Sequence, residues 1–239
     1  MNVPDSARPT VGILGGMGPA ATVDLMQRII NLTPARDDQD HLRLLVDSNP
    51  QVPSRIAALI DGTGASPVPA LRAMAEGLQR AGADFLAMPC NTAHHYHAAV
   101  AEAVPIPFLD LRTIVARRVC AAGVTRVGLL ASSALGLIQL YEPFFDAHGL
   151  SLVYPPQALQ DELMVLIRAV KTGTQKALGD AGLQRAADAL VGAGADALLI
   201  ACTELSALGA GPSVPIPVFD AADLLAQAVV DHARERTQA

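Results

Sequence analysis

Two cysteines stand at matching places in this 239-residue chain, each closing a short apolar run. The first run reads Gly82-Ala83-Asp84-Phe85-Leu86-Ala87-Met88-Pro89-Cys90-Asn91. The second reads Gly194-Ala195-Asp196-Ala197-Leu198-Leu199-Ile200-Ala201-Cys202-Thr203, at one constant offset. Two thiols converging on one small cleft suit a particular task, removing a proton from one face of a carbon and returning one to the other. One partner must be thiolate and the other thiol, and the roles exchange with direction. Each cysteine is expected between a strand and a helix start. Unpaired N–H groups and the positive end of the dipole there lower a thiol's pKa from its free value of about 8.5. The same N–H groups, with Asn91, Thr92 and Thr203, are candidates to hold a carboxylate. Cys120 falls inside an expected helix without such a context and reads as packing.

The elements that must position these thiols are also written twice. Each cysteine run is followed by a Pro-Ile-Pro element ending in aspartate, Pro105-Ile106-Pro107-Phe108-Leu109-Asp110 and Pro215-Ile216-Pro217-Val218-Phe219-Asp220. Upstream, Val11-Gly12-Ile13-Leu14-Gly15 is echoed by Val127-Gly128-Leu129-Leu130-Ala131. A repeat this long is a duplicated α/β domain rather than one turn of a solenoid. Strands are expected at 11–14, 42–47, 85–88, 127–130, 152–154, 197–200 and 218–219. Helices are expected at 19–30, 69–81, 92–103, 112–122, 135–148, 161–171, 178–193 and 222–234, with a loose tail at 1–9 and a loop at 61–69. This alternation predicts two pseudo-symmetric parallel-sheet, flavodoxin-like domains with helices on both faces. Residues 1–112 with 218–239 form the first, carrying Cys90, and 113–217 the second, carrying Cys202. In open parallel sheets, ligands sit beyond the carboxyl ends of the strands. Segments 15–18, 48–55, 90–92, 132–133 and 202–204 all fall there, which adds Met17, Gln51, Arg55 and Ser132 to the substrate-binding candidates.

Bulk properties narrow the class. The chain is 51% hydrophobic, and its net charge of −6 arises from 17 basic and 23 acidic residues with no block of like charge. A basic nucleic-acid-binding face is therefore disfavoured. Three cysteines make no disulfide framework, which points to a reducing compartment. The N-terminal residues lack the basic and apolar regions of a signal peptide, and no apolar stretch is long enough to span a bilayer. A soluble cytoplasmic protein is expected.

Two other chemistries compete for these residues. Cys90, His94, His95 and His97 cluster in sequence, yet one helix cannot aim all four at a single ion, so no metal is expected. Gly16-Met17-Gly18-Pro19-Ala20-Ala21 fits a dinucleotide fingerprint, with Asp47 ending the next strand. That pattern leaves the paired cysteines unexplained, and a loop lining the cleft accounts for the glycines equally well.

Taken together, Val11 to Pro19, the run Pro89-Cys90-Asn91-Thr92-Ala93-His94 and Cys202-Thr203-Glu204-Leu205 resemble the cofactor-independent aspartate/glutamate racemases of the Asp/Glu/hydantoin racemase superfamily. The resemblance covers nearly the whole chain. Asn49-Pro50-Gln51-Val52-Pro53-Ser54-Arg55 is similar to the aspartate racemase branch, in which the arginine binds the side-chain carboxylate, and Lys171 falls where that branch has a lysine with the same task. The resemblance implies that Cys90 and Cys202 are the acid–base pair, acting without pyridoxal phosphate or metal. It also implies that Asn91, Thr92 and Thr203 hold the α-carboxylate or amino group. In related enzymes the first cysteine deprotonates the D-isomer and the second the L-isomer, and a homodimer is common. Ser54, Leu135, Ala201 and Ser206 depart from the usual aspartate, threonine, glycine and proline, which bears on substrate identity more than on mechanism. Aspartate is the expected substrate, with glutamate or a broader set as alternatives. A maleate isomerase-like or decarboxylase-like enzyme, or a non-catalytic protein binding small acids, are the rival readings.

Overall fold

Each of the two repeated glycine-bearing runs becomes the centre of a parallel sheet. The computed structural model describes residues 8–60, 62–174, 181–209 and 211–238. In chain order, the first half comprises β1 (Val11–Gly15), α1 (Pro19–Leu32), β2 (Leu44–Ser48), α2 (Arg55–Leu59), α3 (Val68–Arg80), β3 (Phe85–Ala87), α4 (His97–Ala101) and α5 (Leu111–Ala121). The second comprises β4 (Arg126–Leu130), α6 (Ser133–Leu137), α7 (Glu142–Asp146), β5 (Ser151–Val153), α8 (Gln157–Thr172), α9 (Ala181–Gly192), β6 (Ala197–Ile200), α10 (Thr203–Ser206), β7 (Val218–Asp220) and α11 (Ala221–Gln238). The sheets run β2-β1-β3 and β5-β4-β6-β7. A lone parallel bridge from Leu86 to Phe108 occupies the place in the first sheet that β7 takes in the second. The two parallel sheets expected from the sequence are thus present.

The repeated motifs have repeated physical jobs. Asp84 accepts the backbone N–H of Thr10 at 2.7 Å, and Asp196 accepts those of Thr125 and Arg126 at 2.8 and 2.9 Å. Each thereby pins the start of its central strand. Asp110 and Asp220, which end the Pro-Ile-Pro elements, accept the N–H two residues on, at 3.0 and 2.8 Å, and start α5 and α11. A Cβ at Gly12 would lie 2.6 Å from Leu86, and one at Gly128 would lie 2.6 Å from Leu198, so both central strands need glycine at the same point.

Alternation along the strands sorts side chains into three cores. Val11, Ile13, Phe85 and Ala87 of the first sheet share a core with Val127, Leu129, Leu199 and Ala201 of the second, completed by α1, α5 and α11. Leu14, Leu86 and Met88 face outward onto α3 and α4, together with Cys90. Leu130, Leu198 and Ile200 face outward onto α8 and α9, together with Cys202.

Three expectations change. Segment 92–103 is a tight 3₁₀ turn, Thr92–Tyr96, followed by α4, because the Cys90 carbonyl accepts the His94 ring nitrogen at 2.9 Å and no α-helical ladder starts there. Segment 135–148 is broken into α6 and α7. Pro143 would clash with the carbonyl four residues earlier in a continuous helix, and that residue, Gln139, turns to φ +48° instead. Val218–Asp220, grouped with the first half on sequence, pairs with β6 as the edge strand of the second sheet, and only α11 beyond it leans on α1 and α5. Residues 1–7 of the expected tail, 61 of the expected loop and 178–180 of the expected helix lie outside the described residues. No helix among the described residues is long and apolar enough to cross a membrane.

Candidate active site

The carboxyl ends of the two sheets open onto one cleft of about 130 Å3. The loop after β3 brings Cys90, Asn91 and Thr92 to it, and the equivalent loop after β6 brings Cys202 and Thr203. Met17 enters from the turn after β1, Ser132 from the turn after β4, Arg55 from the start of α2 and Lys171 from the last turn of α8. Gln51 is exposed and outside the lining. Its backbone N–H closes a turn onto Asn49 Oδ1 at 3.0 Å.

Both cysteines are free thiols, each 7% exposed. The Cys202 thiol donates to Glu204 Oε2 at 3.1 Å, and Lys171 Nζ donates to the other oxygen of the same carboxylate. Burial pushes the Cys202 thiol well above its ordinary value, the Glu204 charge pushes it further, and Lys171 offsets only part of this. The expected lowering by a helix end is therefore reversed at Cys202. α10 has only four residues, too few for a substantial dipole, and a carboxylate stands two residues on. Burial alone would lower the Lys171 ammonium, but Glu204 outweighs it and the net shift is upward, so the lysine stays charged.

Arg55 is held differently. Its guanidinium donates to the carbonyls of Val52 at 3.2 Å, Pro53 at 3.0 Å and Met17 at 3.5 Å. All its acceptors among the described residues are backbone carbonyls, so it faces the cleft as a cation that no acid neutralises. Ser54 beside it accepts the Ala57 N–H at 3.2 Å and caps α2, so backbone alone positions the arginine.

On the opposite wall Asn91 is 3% exposed. Its Oδ1 accepts the hydroxyl of Tyr141 at 2.5 Å, whereas its Nδ2 is buried without a partner among the described residues. Tyr141 comes from the break between α6 and α7 and is 1% exposed.

The rival motifs find structural employment. The Gly16 N–H donates to Thr22 Oγ1 at 2.8 Å, and a Cβ at Gly16 would lie 2.3 Å from the Asn49 backbone. Gly16 thus closes the β1 turn onto the β2 loop, a packing reason for the glycine that needs no dinucleotide. The histidines after Cys90 diverge: His94 Nδ1 donates to Cys90 O, His97 Nε2 bonds Phe108 O at 3.1 Å, and His95 is exposed beside Tyr96.

Sequence reasoning placed Glu204 at a strand end without a role, and missed Tyr141 behind Asn91 and the apolar wall of Ile56 and Ile167. A signal for Glu204 was present. At the duplication offset it replaces Thr92, so an acid breaks the symmetry two residues after one cysteine only. Tyr141 has no such signal, because it depends on a helix break.

Comparison with known proteins adds to this geometry. Residues 14–229 match the family described as Asp/Glu/Hydantoin racemase. The broad specificity amino-acid racemase RacX of Bacillus subtilis (strain 168) is 26% identical over 227 residues, covering 92% of this chain and 96% of that protein. Picrophilus torridus aspartate racemase superposes with a TM-score of 0.85 at 29% identity, covering 96% of this chain and 98% of that one. Glutamate racemase isoform RacE1 from Bacillus anthracis shares the fold, with a TM-score of 0.68 at 17% identity over 96% of this chain and 83% of that one.

Proposed function

Because the chain belongs to the Asp/Glu/hydantoin racemase family, we propose that it racemises an amino acid, aspartate foremost, by proton transfer between Cys90 and Cys202. The observation that carries this reading is that two cysteines from equivalent strand ends of a duplicated fold line one small cleft. Arg55 receives the side-chain carboxylate as a bidentate partner. Lys171 keeps one bond to Glu204 and, with three ammonium hydrogens, has donors left for the substrate. The α-carboxylate lies toward Asn91, Thr92 and Thr203, with the α-carbon between the two sulfurs.

Racemisation then needs one thiolate and one thiol. The thiolate takes the α-hydrogen from one face, the electron pair spreads into the α-carboxylate as an enediolate, and the opposite thiol delivers its proton to the other face. The first sulfur ends as thiol and the second as thiolate, ready for the reverse direction. Glu204 holds Cys202 as the thiol in the resting enzyme, which gives Cys90 the role of base in the first half of the cycle. Donors fixed around the carboxylate stabilise the charge where it develops.

Incubation of the purified protein with L-aspartate in deuterium oxide, without added cofactor, tests this. Loss of optical rotation together with α-deuterium incorporation is expected. Cys90→Ala and Cys202→Ala should each cut the rate by about 10²- to 10⁴-fold, the range for one positioned proton-transfer group. Wild-type rates in either variant would end the two-base reading. Exchange with other amino acids but not aspartate would leave a racemase and move the error to the Arg55 side of the pocket.

A further inference from the structure

The racemase reading leaves open how Asn91 meets the substrate, and the buried polar atoms around it constrain the answer. A primary amide has an acceptor end and a donor end. Tyr141 is 1% exposed, and its hydroxyl donates to Asn91 Oδ1 at 2.5 Å. Burial raises the phenol's pKa, so its proton stays in place to be donated. With Oδ1 taking the phenol proton, Nδ2 faces away from Tyr141. That Nδ2 is buried, finds no partner among the described residues, and belongs to a residue lining the cleft. A buried donor left unmade is unfavourable, and what it lacks is an acceptor. The ammonium of an amino acid offers none, whereas its carboxylates do.

We propose that Tyr141 is a positioning residue that locks the Asn91 amide with its donor toward the substrate's α-carboxylate, where it serves the enediolate formed when the α-proton leaves. Charge on those oxygens grows as the proton is removed, so a donor already aimed at them binds the transition state more strongly than the ground state. The lock also crosses the molecule. Tyr141 belongs to the second half and Asn91 to the loop of the first cysteine, so the donor is correctly aimed only when the two halves are docked. This rests on the racemase reading and specifies the α-carboxylate subsite of the same cleft.

The test measures α-deuterium exchange from L-aspartate for wild type, Tyr141→Phe, Asn91→Ala, the double variant and Asn91→Asp. N91A should lower kcat about 100-fold with KM changed much less, as for loss of one oxyanion donor. Y141F keeps the buried ring and loses only the hydroxyl. It should lower kcat about 10-fold, in keeping with one lost hydrogen bond. In the N91A background it should cost nothing further, because the amide it positions is gone. An unchanged kcat in Y141F or N91A overturns the proposal. So does a Y141F loss repeated in full on N91A, which would mark a merely structural tyrosine. Retained activity in N91D, which has no donor, would assign the side chain to the ammonium instead.

Thermal stabilisation by succinate, which has carboxylates and no ammonium, separates this inference from the reading beneath it. If wild type exchanges no amino acid but succinate stabilises it and not N91A or Y141F, the racemase reading falls and the carboxylate subsite stands. Equal stabilisation of all three, in a protein that exchanges no amino acid, removes the subsite as well.

Discussion

In the proposed two-cysteine mechanism Glu204 makes Cys202 the acid of the pair, which predicts different pH dependence for the two directions of the reaction. The carboxylate accepts the thiol proton and opposes thiolate formation by its charge. Glu204→Gln removes the charge at constant size, so the Cys202 pKa falls. In the direction where Cys202 acts as base, the rate climbs as pH rises through that pKa. The rising limb of kcat/KM should therefore move to lower pH in E204Q, while the opposite direction changes less. Profiles for the two enantiomers check this, and an unmoved limb in both would sever Glu204 from Cys202. His94 gives a second residue-level prediction. It is fully buried, and burial holds its pKa down to about 4. Unfolded histidine titrates near 6.5, so between about pH 6.5 and 4 the unfolded chain binds a proton that the native chain refuses. Stability is complete above that window and falls by about 3 kcal/mol as the pH drops through it. Urea unfolding from pH 4 to 7 should show the slope, and His94→Gln should flatten it. His232 is also shifted down by burial and leaves a remainder. That the cysteines, Asn91 and Arg55 line the cleft was legible, because each follows the carboxyl end of a strand that the apolar pattern predicts. Glu204 left one signal, the acid that replaces Thr92 at the duplication offset, whereas Tyr141 left none, because folding alone brings it to Asn91.

The β1 turn shows how an element can match a motif for an unrelated reason. Gly16 has φ +87°, and any Cβ there would run into the backbone of Asn49. The glycine thus fixes the distance between the β1 turn and the β2 loop, from which Val52, Pro53 and then Arg55 follow. Gly16→Ala should destabilise the protein by about 1–3 kcal/mol through the unfavourable backbone and the contact. It should also raise KM for aspartate, because the loop carries the cation and the carbonyls that aim it. Urea midpoints and saturation kinetics measure both. Lost stability with an unchanged KM would show that Arg55 is positioned independently of the turn. The strand–helix order was legible here because period-2 and period-3.6 patterns alternate along the chain. The break at Gln139 was not, since Leu135, Leu140 and Tyr141 keep apolar spacing across it and only Pro143 announces the interruption. That is also why the reach of Tyr141 to Asn91 had no trace in the sequence.

At the scale of the molecule, the duplication predicts two domains, yet the burial pattern welds them. Val11, Ile13 and Phe85 of one sheet and Val127, Leu129 and Leu199 of the other are 0–2% exposed in a single core. Neither half can bury its inner face alone, and exposing that face would remove the largest favourable contribution to folding. Arg28 strengthens the seam from the rim. On α1, it bonds Asp24 at 2.7 Å, Asp223 on α11 and the Ser206 carbonyl of α10 at 3.2 Å, with Asp220 at 3.6 Å. The seam therefore runs through the short helix that follows Cys202. The halves should unfold as one unit. Calorimetry should give a single transition with matching calorimetric and van't Hoff enthalpies, and residues 1–112 expressed alone should not acquire cooperative structure. Arg28→Ala should lower that one transition without splitting it, and should reduce kcat more than KM, because it loosens the support of Cys202 and Glu204 rather than the Arg55 anchor. Two resolved transitions in the wild type would mean that each half carries its own sufficient core. The docking that aims Tyr141 at Asn91 would then be a transient contact rather than a fixed part of the fold.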